Sequence, residues 1–272
     1  MTPAANLRRL PGDWLIPDWP APARVRAVFT TRSGGCSSAP YDSFNLGDHV
    51  GDDPAQVQAN RLALQASMGG RPVFMKQEHG VEVLTLHPST PDGLPADACV
   101  TASPGLACTV MVADCLPVLL AHPDFVGVAA AHAGWRGLAG TPGQNGVLEE
   151  LFKSFSALAL VNRENVATKT IAWLGPCIGP QVFEVGAEVK AAFEISTSGA
   201  SDLFVATPNN TYLANLQGLA RLRLNALGIR HIYGNDGSPG WCTVANVSRF
   251  FSHRRSTRAA SGLGADAVVN RA

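Results

Sequence analysis

His79, Cys115 and His132 are the donor types that together hold a divalent transition metal, and each stands in an unusual polar or glycine-rich word. His79 closes the run Lys76-Gln77-Glu78 and precedes Gly80, Cys115 follows Ala113-Asp114, and His132 opens the word H-A-G-W-R-G. Taken singly, each has a structural alternative: a hydrogen-bonded histidine or a core thiol. Separations of 36 and 17 residues exclude a compact zinc finger. If the three converge, imidazole, thiolate and imidazole form a three-ligand set with one open position, which is the arrangement of catalytic zinc. Such an ion can bring the pKa of a bound water to about 7. Copper accepts the same donors and is the alternative metal.

Charged neighbours suggest what else the site would handle. Arg32, Arg136, Arg254 and Arg255 could offer planar forks to an anion such as phosphate. Gly134 and Gly137 on either side of Arg136 single it out, whereas solvated arginine is the simpler reading of Arg254 and Arg255. Trp135 is either a wall for a flat base or a core residue. Lys76 and Gln77 belong to the polar run before His79, and Asp114 is a carboxylate adjoining Cys115. Cys115, His132 and Asp114 also supply the residue types of a thiol nucleophile. Neighbouring strand residues point to opposite faces, however, which disfavours Asp114 as the third member. Cys177, in the turn GPCIGP (Gly175 to Pro180), reads as structural.

These words need a scaffold, and the apolar pattern suggests one. Residues 1–24, rich in proline and tryptophan, are expected to wrap the surface, with a single catalytic domain over 25–272. A first strand is expected from Val25 to Thr31. Asp53 and Pro54 form a cap and first-position pair for a helix running to about Met68, stopped by Gly69 and Gly70. Short apolar runs follow at Val81 to Leu86, Ala107 to Val112, Pro117 to Ala121 and Val126 to Ala131, and read as strands. Several are apolar throughout, which predicts a sheet covered on both faces. Helices are expected near Gln144 to Leu160, Val185 to Phe193 and Tyr212 to Leu227, with late strands at Thr170 to Leu174 and Ile229 to Tyr233. The sequence of elements predicts an α+β layered sandwich, and no dinucleotide fingerprint follows a strand.

Composition narrows the partners. Lys plus Arg and Asp plus Glu each total 21, with no basic run, so nucleic acid is not an expected partner. The apolar stretch around Val126 to Ala131 is far shorter than the about 20 residues needed to span a bilayer, and no signal pattern opens the chain. Six scattered cysteines lack the spacing of a disulfide framework, so reduced thiols and a cytoplasmic location are expected.

The words FNLGDHVGDDP (Phe44 to Pro54), KQEHG, VADCLPVLL (Val112 to Leu120), AAHAGWRG, LGPCIGPQVFEVG (Leu174 to Gly186) and FFSHRR (Phe250 to Arg255), in this order, resemble the YfiH-like laccase-domain family. Its members are variously labelled polyphenol oxidases, peptidoglycan editing factors and purine nucleoside phosphorylases. The resemblance, over about Arg26 to Arg255, implies an α/β/β/α sandwich with mixed β-sheets and a single zinc held by His79, Cys115 and His132. It implies phosphorolysis of adenosine, inosine and methylthioadenosine and deamination of adenosine. Purine nucleosides and phosphate would be the partners of a monomer or homodimer. Asp114 and Arg136 are then the expected catalytic residues, and Arg32, Asn45, Lys76 and Gln77 the expected substrate-binding ones. A copper-dependent polyphenol oxidase and a thiol-dependent amidohydrolase of peptidoglycan editing are the alternatives. Gln181 replaces a cysteine usual in the family, and Ser256 to Gly264 lacks the usual D-G-x-T-G-R ending.

Overall fold

The Asp53-Pro54 pair does what its chemistry predicts. The Asp53 carboxylate accepts the Ala55 amide at 2.9 Å, proline occupies the first turn, and Gly69 ends the helix at φ 69°. In the computed structural model, which describes residues 13–141, 143–159 and 166–261, this is α1 (Pro54–Met68). It is followed by β1 (Arg71–Val73), β2 (Val83–Thr85), β3 (Ala98–Thr101), β4 (Leu106–Cys108), β5 (Leu116–Ala121) and β6 (Val128–Ala133). Next come α2 (Trp135–Ala139), α3 (Val147–Ala157), α4 (Val166–Lys169), β7 (Ile171–Leu174), β8 (Glu184–Val185) and α5 (Ala187–Ser196). The chain closes with β9 (Phe204–Ala206), β10 (Tyr212–Ala214), α6 (Leu216–Ala226), β11 (His231–Gly234) and α7 (His253–Ser261).

Six strands form a mixed sheet in the order β11-β7-β5-β6-β3-β2, parallel at its two ends and antiparallel between. A parallel pair, β1 and β4, and an antiparallel trio, β8-β10-β9, complete the sheets. Strand alternation explains the layering. On β6, Ala129, Ala131 and Ala133 join the cluster that contains Leu148, Leu151 and Phe155 of α3 and Leu219 and Leu224 of α6. Ala130 faces the other way, into the cluster with Val73 of β1, Cys99 of β3 and the flanking Leu106 and Cys108 of β4. Beyond that pair, Leu64 of α1 packs with Phe74, Phe44 and Trp14. Helices, the large sheet, the small sheet and α1 are thus four layers of an α+β sandwich with mixed sheets.

Several expected boundaries move. Val25 to Thr31 is not a sheet strand: Phe29 exchanges backbone hydrogen bonds only with Leu15, both at 2.8 Å, and the segment serves as a wall instead. The run Ala107 to Val112 leaves its strand after Cys108, because the Met111 backbone pairs with the Gln77 side chain. Val81 to Leu86 shortens to β2. The helix expected over Tyr212 to Leu227 splits at Asn215, whose side chain accepts the Gly218 amide and caps α6. Strand β3 was missed because only four residues, A-C-V-T, separate Asp97 from a turn. Within the 1–24 segment, Trp14 is buried against Phe44. Residues 1–12, Leu160 and the final residues of the Ser256 to Gly264 stretch lie outside those described. All six cysteines are unpaired thiols, and no helix among the described residues is long and apolar enough to cross a membrane.

Candidate metal centre

Three chain segments deliver the donors to one place. His79 sits on the crossing between β1 and β2 with a left-handed backbone, φ 60°. Cys115 immediately precedes β5. His132 lies within β6, opposite Pro117 and on the Ala130 face, so it projects between the two sheets. The ligand atoms of the three lie within 4.8 Å of one another. Cys115 Sγ and His79 Nε2 are 3.7 Å apart, and the two imidazole rings meet edge to face at 4.7 Å.

Gly134 and Gly137 explain themselves by close approach rather than by making room for Arg136. A Cβ on residue 134 would fall 2.8 Å from His79 Cδ2 and 3.0 Å from Cys115 Sγ. One on residue 137 would fall 2.5 Å from the Gly80 carbonyl oxygen. The word H-A-G-W-R-G therefore closes the back of the donor cluster.

A carboxylate that sequence reasoning overlooked organises the cluster. Asp97, almost fully buried, lies 2.8 Å from His132 Nδ1 and accepts the amides of Glu78, His79 and Gly80 at 3.1, 2.9 and 2.6 Å. Its own carbonyl accepts the His132 amide at 2.7 Å. Burial opposes ionisation of Asp97, but hydrogen bonds from His132 and Gly80 outweigh it and hold the carboxyl below its ordinary value. With Nδ1 engaged, Nε2 of His132 is the nitrogen left for a metal, the outer-shell arrangement usual for ligating histidine.

In the metal-free site burial alone would raise the Cys115 thiol. The positive charge of His132 and hydrogen bonds with His132 and His79 reverse this, setting it at about 6. Burial would likewise lower His132, while the Cys115 thiolate and the Asp97 hydrogen bond hold it up at about 9. A thiolate ready for metal, two imidazoles and a fixed tautomer fit a borderline-soft cation.

The donors border a cavity of about 180 Å³. Phe29, Phe44, Met111, Trp173 and Phe251 give it apolar faces, and Arg32, Asn45, His49, Gln77 and Arg249 give it polar ones. His49 and Arg249, neither singled out in the sequence, both line it. The other expected residues divide. Gln77 lines the cavity, but both ends of its amide pair with the Met111 backbone at 2.7 Å. Asn45 bonds Gly47 and Asp52, so it shapes the loop it stands on. Arg32 is engaged by Asp42 and the Val247 carbonyl. Lys76 is exposed and paired with Glu78, and Arg136 is exposed over the Trp135 ring; neither lines the cavity.

Asp114 is buried with a backbone φ of 96° and does not border the cavity. Its carboxylate accepts Thr243 Oγ1 at 2.5 Å, Ser252 Oγ at 3.0 Å and the Arg254 amide at 2.7 Å. Its carbonyl accepts the amide of Ile178. The turn GPCIGP thus stands behind Cys115, and Cys177 there is a buried thiol pushed well up by burial and by the charge of Cys115. Arg254 and Arg255 tie down backbone carbonyls, of Glu184 and of Thr243, Val244 and Phe250 respectively.

The profile of the family described as "Multi-copper polyphenol oxidoreductase laccase" matches residues 26–270. The chain belongs to this laccase-domain, YfiH-like family. Among relatives of this family, a purine nucleoside phosphorylase of Pseudomonas aeruginosa is 48% identical over 90% of this chain and 94% of its own. The purine nucleoside phosphorylase YfiH of Escherichia coli is 44% identical over 89% and 93%. The crystal structure of a Neisseria meningitidis protein superposes with a TM-score of 0.78 at 41% identity, covering 90% of this chain and 94% of that one. YlmD of Geobacillus stearothermophilus does so with 0.72 at 30% identity, covering 85% and 86%. The family description speaks of several coppers, yet among the described residues His79, Cys115 and His132 are the one group of three or more such donors placed to hold an ion.

Proposed function

We propose that this protein is a zinc-dependent purine nucleoside phosphorylase acting on inosine, adenosine and methylthioadenosine, with deamination of adenosine at the same centre. The observation that carries the reading is the convergence of three donor atoms within 4.8 Å at the border of an aromatic-walled cavity. The names of relatives at 44% and 48% identity support the substrate class. A zinc ion bound there would supply a Lewis acid.

The chain's own residues supply position. Asp97 holds His132 and the His79 loop in ligating geometry. The faces of Phe44, Trp173 and Phe251 offer a flat base an apolar slot. Asn45 and Gln77 keep the opposing loops in place, and Lys76 and Arg136 are left at the periphery. Asp114 acts as a positioning residue behind Cys115 rather than as a proton carrier. In phosphorolysis a phosphate oxygen bonds to ribose C1′ as the C1′–N9 bond breaks, and the departing purine takes up one proton. In deamination water replaces the amino group at C6 and ammonia leaves.

Zinc-loaded protein given inosine and phosphate is expected to form hypoxanthine and ribose 1-phosphate, and His132→Ala to lose metal and turnover together. No hypoxanthine from wild type would overturn the reading. Copper-dependent phenol oxidation is the second reading, favoured by the family description alone. Metal analysis separates the two, since copper at one equivalent in protein purified without added metal would revive it.

A further inference from the structure

Phosphorolysis needs a seat for an oxyanion, and the arginines singled out in the sequence do not provide one. Arg136 lies outside the cavity. Arg32 lines it, but all three of its guanidinium nitrogens are engaged: Nε with the Asp42 carbonyl at 2.8 Å, Nη1 with the Val247 carbonyl at 3.2 Å and Nη2 with the Asp42 carboxylate at 3.1 Å.

Arg249 differs. It lines the same cavity, its Nε reaches Asp13 Oδ2 at 3.3 Å, and its Cζ lies 5.1 Å from the centre of the Phe250 ring. Its backbone carbonyl accepts the Arg32 amide at 2.8 Å, so its base is fixed beside the first arginine. Among the described residues neither Nη1 nor Nη2 has a hydrogen-bond partner. The fork is therefore held at one edge and on one face, with its outer edge unspent, and no carboxylate lines the cavity among the described residues. A planar fork anchored in this way suits bidentate contact with a tetrahedral oxyanion.

We infer that the Nη edge of Arg249 is the seat of inorganic phosphate in this cavity. The inference deepens the phosphorolytic reading and rests on it for the identity of the anion. Arg32 and Asp13 are then supports: one fixes the neighbouring backbone, the other aims the fork.

The test compares Arg249→Gln, Asp13→Asn and, as a control for lost surface charge, Arg230→Gln, all zinc-loaded. It measures the phosphate KM with inosine and, separately, phosphate binding by calorimetry. Arg249→Gln is expected to raise the phosphate KM and Kd about tenfold or more, the loss typical of a charged hydrogen-bond partner, with zinc content and nucleoside KM nearly unchanged. Asp13→Asn keeps an oxygen to accept from Nε and so the aim of the fork, while removing a competing negative charge, and is expected to leave phosphate affinity unchanged or raise it. Unaltered phosphate affinity in Arg249→Gln, or an equal loss in Arg249→Gln and Asp13→Asn, would overturn the inference. If wild type binds phosphate through Arg249 but does not cleave nucleosides, the seat stands and the phosphorolytic reading falls. Wild type that binds no phosphate defeats both.

Discussion

His132 Nδ1 and Asp97 Oδ1 are 2.8 Å apart, both side chains almost fully buried, and the same carboxylate gathers three consecutive amides of the loop that carries His79. One residue thus aligns two of the three donors. Replacing it with asparagine removes the charge and sets an amide N–H against donors. Asp97→Asn is expected to weaken zinc binding by about 10- to 100-fold, the range usual for outer-shell partners of ligating histidine. Competition with a chromophoric chelator measures this, and the cobalt-substituted protein should show an altered visible spectrum. Affinity equal to wild type would remove Asp97 from the metal centre.

Gly134→Ala tests the close approach at the back of the cluster. The added carbon would meet His79 Cδ2 at 2.8 Å and Cys115 Sγ at 3.0 Å, and both belong to donors that must hold position. Overpacking of this kind costs about 1–3 kcal/mol. The zinc stoichiometry of the purified variant should fall, and denaturant titration should show the lost stability. Full zinc content with unchanged stability would mean that the loop yields freely.

After chelation the thiol of Cys115 should ionise near pH 6, visible as thiolate absorbance in the ultraviolet, with His132 keeping its proton to about pH 9. The stability signs oppose. The depressed thiol contributes stability at high pH that is lost as pH falls from 9.0 towards about 6. The raised imidazole contributes stability at low pH that is lost as pH rises from 6.5 to about 9. Between these limits the two slopes cancel, so this pair should leave metal-free stability nearly flat while its charge state is unusual. A thiolate midpoint near the ordinary cysteine value would refute the pairing.

Asp114→Ala should act on the fold around the site more than on the metal. It strands Thr243 Oγ1, Ser252 Oγ and the Arg254 amide, each a buried or half-buried donor. Leaving such groups unsatisfied costs about 1–3 kcal/mol apiece. Hydrogen exchange should quicken first at the start of α7, and stability should fall with zinc still bound at neutral pH. Zinc loss without loss of stability would instead give Asp114 a direct role at the metal.

Much of this was legible in the sequence because local chemistry decided it. The Asp53-Pro54 start and Gly69 stop of α1 need only neighbouring residues, and the buried strands β5, β6 and β7 announce themselves as apolar runs. The three candidate donors were weak signals singly, each with a structural alternative, and were set apart by the words they share with the YfiH-like family. What could not be read depended on distant partners. Asp97 is an ordinary aspartate until β3 is laid beside β6, and the partners of Asp114, Thr243 and Ser252, arrive from the far end of the chain. The arginines of FFSHRR read as solvated side chains before anion forks, yet both donate to backbone carbonyls. Its neighbour Arg249 gave no signal, because a usable edge appears only once Asp13 and Phe250 have claimed the others.

The donors stand on both sides of a seam: His132 belongs to the large sheet, while His79 rides the segment that leaves the small one. An ion held there would rivet one layer to the other, and its grip would inherit whatever spacing the interlayer packing imposes. Substitutions among Val73, Cys99 and Ala130, none of which is a ligand, can therefore retune the chemistry from within the hydrophobic seam.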